Sequence, residues 1–266
     1  MHVVVCVKQV PDATNVRINP ETNTLMREGV ESIVNPFDEY ALEEALRLKD
    51  QFGARVSVVS MGPPQATVVL REAMARGADD GVLVSGRAFG GADTLATSYT
   101  ISQAIKKLCD GGKPDLVLFG KQAIDGDTAQ VGPGVSEFLD VPLITYVRSL
   151  KMDAEGNFEV ESIMDDGANV IQGKLPAVMT VLKEASVPRF ASLSGWMAAK
   201  RAQVAVYDEK TVNADPDKIG LKGSPTKVVT IFPPPTKTGG KKIDCRSDKQ
   251  VAVDAIMKLL KEKGIA

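Results

Sequence analysis

The sequence predicts an α/β fold, a twisted, mostly parallel sheet with helices on both faces, followed by a β-hairpin and an extended C-terminal arm that ends in a helix. Through the first two-thirds, short apolar runs alternate with amphipathic stretches, the pattern of a parallel sheet. After Leu143 two strand-like runs flank a turn, and the last quarter is rich in Pro, Gly, Lys and Thr. We therefore predict an α/β domain over residues 1–185 and an arm over residues 186–266.

Four strand–helix pairs make up the predicted parallel part. The strands are Val3–Val7, Arg55–Ser60, Gly81–Val84 and Asp115–Phe119. The first helix begins at Pro36, where Asn35 is a favourable N-cap, and runs to Phe52. The others are Gln65–Arg76, a helix capped by Asp93 or Thr94, and Gly132–Leu139.

The second half of the chain is predicted to be less regular. Val147–Met152 and Asn157–Ile163 should form the hairpin, and Ala177–Leu182 a further strand. Val187–Arg201 has no clear helix or strand period. Asp215–Gly223 and Pro233–Lys242 are predicted to be extended connections, and Ser247 is predicted to cap a final amphipathic helix.

Composition excludes several classes of function. The chain has 266 residues, a formal net charge of -2, three cysteines and one histidine. The near-neutral charge weighs against a general nucleic-acid binder, and the odd, widely spaced cysteines against a disulfide framework or a CxxC metal site. No apolar run reaches the roughly 18 residues of a membrane span, and no secretory signal is visible. We therefore expect a cytoplasmic protein without nucleic acid, resident metal or membrane insertion.

Four segments should meet where ligands bind to open parallel sheets, at the carboxyl ends of the strands. They are Lys8–Asp12, Met61–Pro63, Gly90–Thr94 with Thr97, and Gly120–Pro133. The last two are typical of phosphate sites, because glycines let the backbone approach a ligand and helix starts offer free N–H donors. Taken alone, the first three are also ordinary turns or helix starts. The fourteen-residue loop 120–133 is longer than usual connections, which favours a functional role.

Several catalytic motifs are missing. There is no GxxxxGK[ST] and no GxGxxG after Val3–Val7, and we expect no His–carboxylate pair and no Cys–His pair. Asp125 and Asp127 have too few neighbouring ligands for a metal site. The residues therefore indicate a nucleotide-binding protein in which electron transfer or binding is favoured over hydrolysis.

The same segments resemble the β subunit of the electron transfer flavoproteins along essentially the whole chain. The similarity rests on the opening Val3–Lys8 with Pro11–Asp12, on Asn35–Ala45, Ser60–Pro63 and Ala75–Asp79, and on Gly120–Asp127, Lys174–Val178 and Pro188–Leu193. The resemblance implies a twisted parallel sheet of adenine-nucleotide-binding, Rossmann-like type. It also implies a heterodimer with a larger α subunit that carries its own FAD.

In this family the β subunit holds AMP in plain electron carriers and a second FAD in electron-bifurcating members. The resemblance places the adenosine-phosphate part against Cys6, Asn35, Phe37, Asp38, Met61, Lys121, Gln122, Ala123, Ile124, Asp127, Thr128, Gln130, Val131, Gly132 and Pro133. Thr94 and Thr97 would supply donors for the pyrophosphate and ribityl chain of FAD. That segment resembles the bifurcating members, so FAD is the expected cofactor and AMP the alternative.

The implied activity is electron bifurcation. Electrons from NADH would be divided between ferredoxin or flavodoxin and, through the α subunit, a partner dehydrogenase such as an acyl-CoA dehydrogenase. Two alternatives remain open: a non-bifurcating carrier that holds AMP structurally, and a nucleotide sensor of universal-stress type. Flavin content would separate the first alternative, and the arm after residue 185 argues against the second.

Leu193 is the candidate partner-binding residue. On composition alone, the favoured interpretation is a core leucine beneath a loop. The resemblance instead implies that Arg189–Trp196 is a recognition loop whose leucine inserts into an apolar pocket of the dehydrogenase.

Overall fold

The computed structural model describes residues 1–12, 17–18, 25–26, 32–229, 239–240 and 242–265. By contacts between Cα atoms, the chain forms two compact units, Met1–Val229 and Thr230–Ala266. The predicted division between residues 185 and 186 was drawn from the change in sequence pattern and composition, and it stays a prediction. The predicted connection Pro233–Lys242 lies mostly outside the described residues.

A nine-stranded sheet forms the centre of the first unit, in the order β11-β10-β9-β12-β8-β1-β6-β7-β13. Its strands are β1 His2–Cys6, β6 Arg55–Met61, β7 Asp80–Val84, β8 Leu116–Gly120, β9 Leu143–Met152, β10 Asn157–Met164, β11 Gly167–Lys174, β12 Ala177–Val181 and β13 Ala205–Tyr207. Seven of them run parallel, and β10 is antiparallel to β9 and β11. The predicted mostly parallel sheet with a hairpin is confirmed.

Two small antiparallel pairs stand apart from this sheet. The short strands are β2 Gln9–Pro11, β3 Arg17–Ile18, β4 Leu25–Met26 and β5 Ser32–Val34. β2 pairs with β5, and β3 pairs with β4. The first pair extends the end of β1 and returns the chain to the start of the first helix.

Helices cover both faces of the sheet. The helices of this unit are α1 Pro36–Phe52, α2 Thr67–Arg76, α3 Thr94–Leu108, α4 Val131–Leu139 and α5 Leu193–Arg201. The second unit contains α6 Lys249–Glu262. Side chains alternate along β1, so Val3 and Val5 pack with α1 and α2 while Val4 and Cys6 pack with α3 and α4. The two resulting cores explain why β1 is apolar at every position.

The order of the strands creates a switch point beside β1. The chain adds β6 and β7 on one side of β1 and β8 and β12 on the other. The connections that leave the carboxyl ends of β1 and β8 therefore diverge to opposite faces and leave a crevice between them.

Several sequence predictions need correction. Val187–Arg201 contains the helix α5, whose period is hidden because few of its residues are buried. Asp215–Gly223 is a series of turns rather than an extended connection. Asp248, not Ser247, caps α6 by accepting a hydrogen bond from the Gln250 amide. β11 and β13 were not predicted, because both are largely exposed, β11 lacks an apolar run, and β13 is only three residues long.

Among the residues that the structure describes, no helix is both long and apolar enough to cross a bilayer.

Candidate functional site

A cavity of about 1510 Å³ opens at the switch point, at the carboxyl ends of β1, β6, β7 and β8. Sites for drug-sized ligands usually measure roughly 300–1000 Å³, so this cavity has room for a dinucleotide. All four predicted segments contribute to its lining, through residues that include Lys8, Met61, Thr94 and Gln122.

Asp38 joins the first turn of α1 to the ends of two strands. Its side chain is buried and accepts hydrogen bonds from the Lys8 amide at 2.7 Å and the Asn35 Nδ2 at 2.9 Å, and from the Gly120 amide. A Cβ on Gly120 would lie 2.4 Å from the Asp38 carboxylate and 2.5 Å from the Phe37 carbonyl carbon. Only glycine therefore allows β8 to end this close to α1.

Burial raises the pKa of Asp38 to about 7. Desolvation disfavours the carboxylate more strongly than the hydrogen bonds from Asn35, Lys8 and Gly120 and the charge of Lys8 favour it. The neighbouring Cys6 thiol is buried too, and burial together with the Asp38 charge raises its pKa well above the usual range. At this side of the cavity Cys6 is therefore a neutral thiol, and the Asp38 carboxyl titrates near neutral pH.

Asn35 occupies the N-cap position of α1, as predicted, but its side chain does not cap the helix. Its Nδ2 donates to the Gln122 carbonyl oxygen at 2.9 Å, and its Oδ1 accepts from the Ile124 amide at 3.1 Å. These bonds hold the start of the long loop against α1. Asn35 is 1% exposed, so its amide group positions the cavity wall in a dry environment.

The cations that line the cavity differ in how far they are already engaged. Lys8 Nζ is 2.7 Å from the Asp125 carboxylate, an ion pair that links the end of β1 to the long loop. Lys121 Nζ lies 5.6 Å from the centre of the Tyr146 ring. Arg87 has no ion pair or side-chain hydrogen bond with any described residue. It is therefore the lining cation most available to an anionic ligand.

The starts of α3 and α4 offer different donors to an anion. The Asp93 carboxylate caps α3 by accepting from the Leu95 and Ala96 amides, so the free N–H donors predicted there are largely used. No side chain caps α4, and its first residues, Val131 and Gly132, line the cavity. The N-terminus of α4 therefore has the backbone donors that the sequence analysis assigned to both helices.

The two threonines of α3 are placed differently. The Thr94 hydroxyl donates to the Gln130 Oε1 at 3.0 Å, which connects α3 to the end of the long loop. The Thr97 hydroxyl has no hydrogen-bond partner among the described residues, and Thr97 lines the cavity. Thr97 is thus the freer of the two to bind a ligand.

The structure brings most of the predicted binding residues together around the cavity. Those in the lining are Cys6, Asn35, Asp38, Met61, Thr94, Thr97, Lys121, Gln122, Ala123, Thr128, Gln130, Val131 and Gly132. Phe37, Ile124, Asp127 and Pro133 are outside it. Ile124 contacts Asn35 through its amide, Asp127 accepts a hydrogen bond from the Gln122 side chain, and Pro133 lies in the first turn of α4.

Part of the cavity lining was not predicted from the sequence. Arg87, Pro225, Thr226 and Val228 also face the cavity. Arg87 lies in a short turn with no motif around it. The other three belong to a stretch whose Pro, Gly and Lys content indicated only a connection, so no local pattern could have revealed their role.

Contrary to the sequence expectation, the structure contains a Cys–His contact. It lies away from the cavity, at the amino-terminal end of β1. Cys109 Sγ is 3.7 Å from His2 Nδ1, and His2 Nε2 is 2.8 Å from the Ser57 hydroxyl. Burial raises the pKa of Cys109 and lowers the pKa of His2, so the pair is a thiol beside a neutral imidazole. That is not an activated nucleophile. Among the described residues, no three His, Cys, Asp or Glu side chains are grouped closely enough to hold a metal ion.

Leu193 begins α5 and is 80% exposed, so the core interpretation is wrong. Val187 and Phe190 are exposed beside it at 88% and 98%. Arg189, between them, donates from its guanidinium and its amide to Glu43 of α1 and pairs with Asp50 at 2.8 Å. The apolar side chains of this segment are therefore displayed on a backbone that is fixed to α1.

The raised pKa of Asp38 predicts a pH dependence of stability. The unfolded carboxyl loses its proton near its ordinary pKa of 3.8 and the folded one only near 7. The free energy of unfolding of the ligand-free chain should therefore fall as the pH rises from about 4 to 7, by up to about 1.4 kcal/mol for each pKa unit. Asp38→Asn should remove this fall.

Denaturant unfolding at several pH values measures the effect, and the difference between the wild type and the variant isolates Asp38 from His2. Asp153→Asn is the matched control, because the pKa of Asp153 is lowered by the Asn157 side chain and Asp153 titrates below the tested range. An Asp38→Asn variant with the pH profile of the wild type would contradict the prediction.

Comparison with known proteins assigns the family. A family model described as the electron transfer flavoprotein domain matches residues 22–212. The electron transfer flavoprotein β subunit of Clostridium acetobutylicum is 48% identical over 265 residues, covering 100% of both chains. Subunit CarD of the caffeyl-CoA reductase–Etf complex of Acetobacterium woodii is 47% identical over 266 residues, again covering 100% of both.

FixA of Azotobacter vinelandii is 49% identical over 237 residues, which cover 88% of this chain and 84% of FixA. The chain therefore belongs to the electron transfer flavoprotein family, as a β subunit.

Proposed function

We propose that this β subunit binds FAD in the cavity beside β1 and takes part in electron bifurcation from NADH. The size of the cavity carries the proposal. A mononucleotide such as AMP would fill only part of the cavity volume of about 1510 Å³, whereas FAD with an adjoining nicotinamide would also occupy the remaining volume. When bound, the flavin would supply the redox chemistry, and the protein binding and electrostatics.

The lining suits the successive parts of a dinucleotide. Apolar Cys6, Met61 and Val131 offer contacts for flat rings. The uncapped start of α4, the Thr97 hydroxyl and the free guanidinium of Arg87 offer donors for a pyrophosphate. The pKa of the Asp38 carboxyl is raised to about 7, so it repels an anionic ligand less than a fully ionised carboxylate would.

The proposed partners are a larger α subunit with its own FAD, a dehydrogenase such as an acyl-CoA dehydrogenase, and ferredoxin or flavodoxin. The name of the CarD relative places that protein in a complex with a reductase of a CoA thioester, which supports a partner of the same class here. The exposed segment around Leu193 supports docking to the dehydrogenase. We propose a cytoplasmic location, because Cys6, Cys109 and Cys245 are free thiols, as is usual in a reducing compartment.

The proposal predicts the nucleotide content of the complex. The chain purified with its α subunit should release two FAD per heterodimer, and NADH alone should bleach the flavin absorbance. Chromatography of the released nucleotides and anaerobic titration measure the two properties. Release of AMP with a single FAD, together with reduction only by an acyl-CoA dehydrogenase, would instead identify the plain carrier.

The threonines of α3 should contribute to flavin retention. A hydroxyl that donates to a phosphate oxygen stabilises binding by roughly 1.5–3 kcal/mol, so Thr94→Val with Thr97→Val should weaken FAD binding about tenfold or more. Equilibrium dialysis of the complex measures this change. Thr100→Val is the matched control, because that hydroxyl donates to the Ala96 carbonyl oxygen in the interior of the same helix. Equal FAD affinity in the double variant and the wild type would mean that the two threonines serve only the helix start.

Leu193→Ala should slow electron delivery to the dehydrogenase without destabilising the chain. Leu193 is 80% exposed, so its truncation avoids the roughly 2–5 kcal/mol cost of a core leucine. Rapid-mixing kinetics with the dehydrogenase and thermal unfolding test the two expectations. Val170→Ala is a control at a residue of β11 that is 65% exposed. Unchanged coupling in Leu193→Ala would contradict the anchor role.

A further inference from the structure

The stretch from Val212 to Val228 packs closely on the region around the start of α3. Val212 and Ile219 are buried in the core formed with α3 and α4. Tyr99 of α3 accepts a hydrogen bond from the Asp215 amide at 3.0 Å. This stretch is therefore part of the α/β unit and not a loose connection.

The contact becomes closest at two glycines, one just before α3 and one within the 212–228 stretch. A Cβ on Gly91 would lie 2.7 Å from Leu221 Cγ, and a Cβ on Gly220 would lie 2.2 Å from the Ala88 carbonyl oxygen. Both glycines have positive φ, of 72° and 56°. Glycine at position 220 thus lets the two backbones touch, and glycine at position 91 leaves room for the Leu221 side chain, next to the cavity.

Asp93 is the residue through which the two segments are bonded. Its Oδ2 accepts from the Thr226 amide at 3.0 Å and from the Thr226 hydroxyl at 2.9 Å, while its Oδ1 caps α3. Its own amide donates to the Ser224 hydroxyl at 2.8 Å, and that hydroxyl donates to the Gly220 carbonyl oxygen at 2.7 Å. One carboxylate therefore fixes the start of α3 and the 224–226 segment together.

We propose that residues 224–228 form a wall of the nucleotide cavity and that Asp93 is the positioning residue that fastens this wall to α3. Pro225, Thr226 and Val228 line the cavity together with Thr94 and Thr97 of the helix that Asp93 caps. The inference rests on the proposed nucleotide site and extends it to a segment far away in the sequence. The ligand would be enclosed between the strand ends and this wall, so loosening the wall should release it faster.

Asp93 accepts hydrogen bonds from four protein donors, and these bonds also explain how an acidic residue is tolerated next to a site for phosphates. Burial disfavours the carboxylate, but hydrogen bonds from Ala96, Thr226 and Leu95 outweigh it and lower the pKa of Asp93. Its negative charge is thus taken up by donors of the protein, which leaves the Thr97 hydroxyl and Arg87 to the ligand.

Asp93→Asn tests the proposal without removing the helix cap. Asparagine caps helices as well as aspartate does, but it places an NH₂ group where Oδ2 accepted two hydrogen bonds from Thr226. In the complex with the α subunit, dissociation of bound flavin after dilution should become about tenfold faster. Amide hydrogen exchange should quicken at residues 224–228, while the melting temperature of the nucleotide-free complex stays close to that of the wild type.

Asp208→Asn is the matched control. Asp208 accepts from the Thr211 amide at 2.8 Å and the Thr211 hydroxyl at 2.6 Å, which is the same chemistry on the same part of the chain but outside the cavity lining. It should leave flavin dissociation unchanged. Thr226→Val should speed dissociation as well, and less than additively when combined with Asp93→Asn, because both remove the same bond.

Two results would overturn the role of Asp93: a dissociation rate equal to that of the wild type, or an equal acceleration in Asp208→Asn. A wild-type complex that holds no nucleotide, or that releases AMP with a single FAD, would instead contradict the proposed function itself. Nucleotide content is therefore measured on the wild type first, which separates the two failures.

Discussion

The buried carboxyl of Asp38 is the interaction on which the geometry of the site depends. It accepts hydrogen bonds from Lys8 after β1, from the Asn35 side chain, and from Gly120 at the end of β8. These groups lie on the two strands that flank the switch point and on the helix that crosses between them. A single side chain thus sets the width of the crevice, because none of the three elements can move without losing a bond to it.

Burying the Asp38 carboxyl has an electrostatic cost, which its hydrogen bonds offset only in part. A buried acid disfavours its charged form, and the hydrogen bonds around Asp38 only partly compensate, which leaves the pKa near 7. Asn35 extends the same network by holding Gln122 and Ile124. The long loop is therefore shaped by a polar network that starts in the protein interior, and not by the sequence of the loop alone.

The features that were predictable from sequence are those that depend on burial. β1, β6, β7 and β8 are covered on both faces, so their apolar runs are unbroken and their ends, where Met61 and Gly120 lie, could be located. Helix α5 and the strands β11 and β13 are largely exposed and gave no period. Thr226 could not be found either, because its contribution comes from a contact with Asp93, 133 residues earlier in the chain.

The sequence also could not predict which N-cap side chains cap their helices. Asn35 and Asp93 stand at equivalent N-cap positions, and the same residue preference predicts a cap at both. Asp93 does cap α3, whereas the Asn35 side chain turns to Asp38 and the long loop. The difference arises because Asn35 donates to the buried carboxylate of Asp38, three residues further along the chain. Local residue preferences do not include such a tertiary contact.

Helix α1 finally connects the cavity with the exposed segment around Leu193. Its first turn carries Asp38, and one and a half turns later Glu43 binds the amide and the guanidinium of Arg189. The helix that follows Arg189 is held from the other side, where Arg71 donates to the Ala199 and Ala202 carbonyl oxygens at the end of α5.

A Cβ on Gly195 would lie 2.1 Å from the Ala75 carbonyl oxygen, so α5 also packs against the backbone of α2. The exposed segment is therefore braced by α1 and α2, the two helices on one face of the sheet. Electron transfer between proteins depends on the distance between the redox centres. Because the exposed segment is bonded to the helix that shapes the cavity, its distance from that cavity is fixed, as the docking role proposed for it would require.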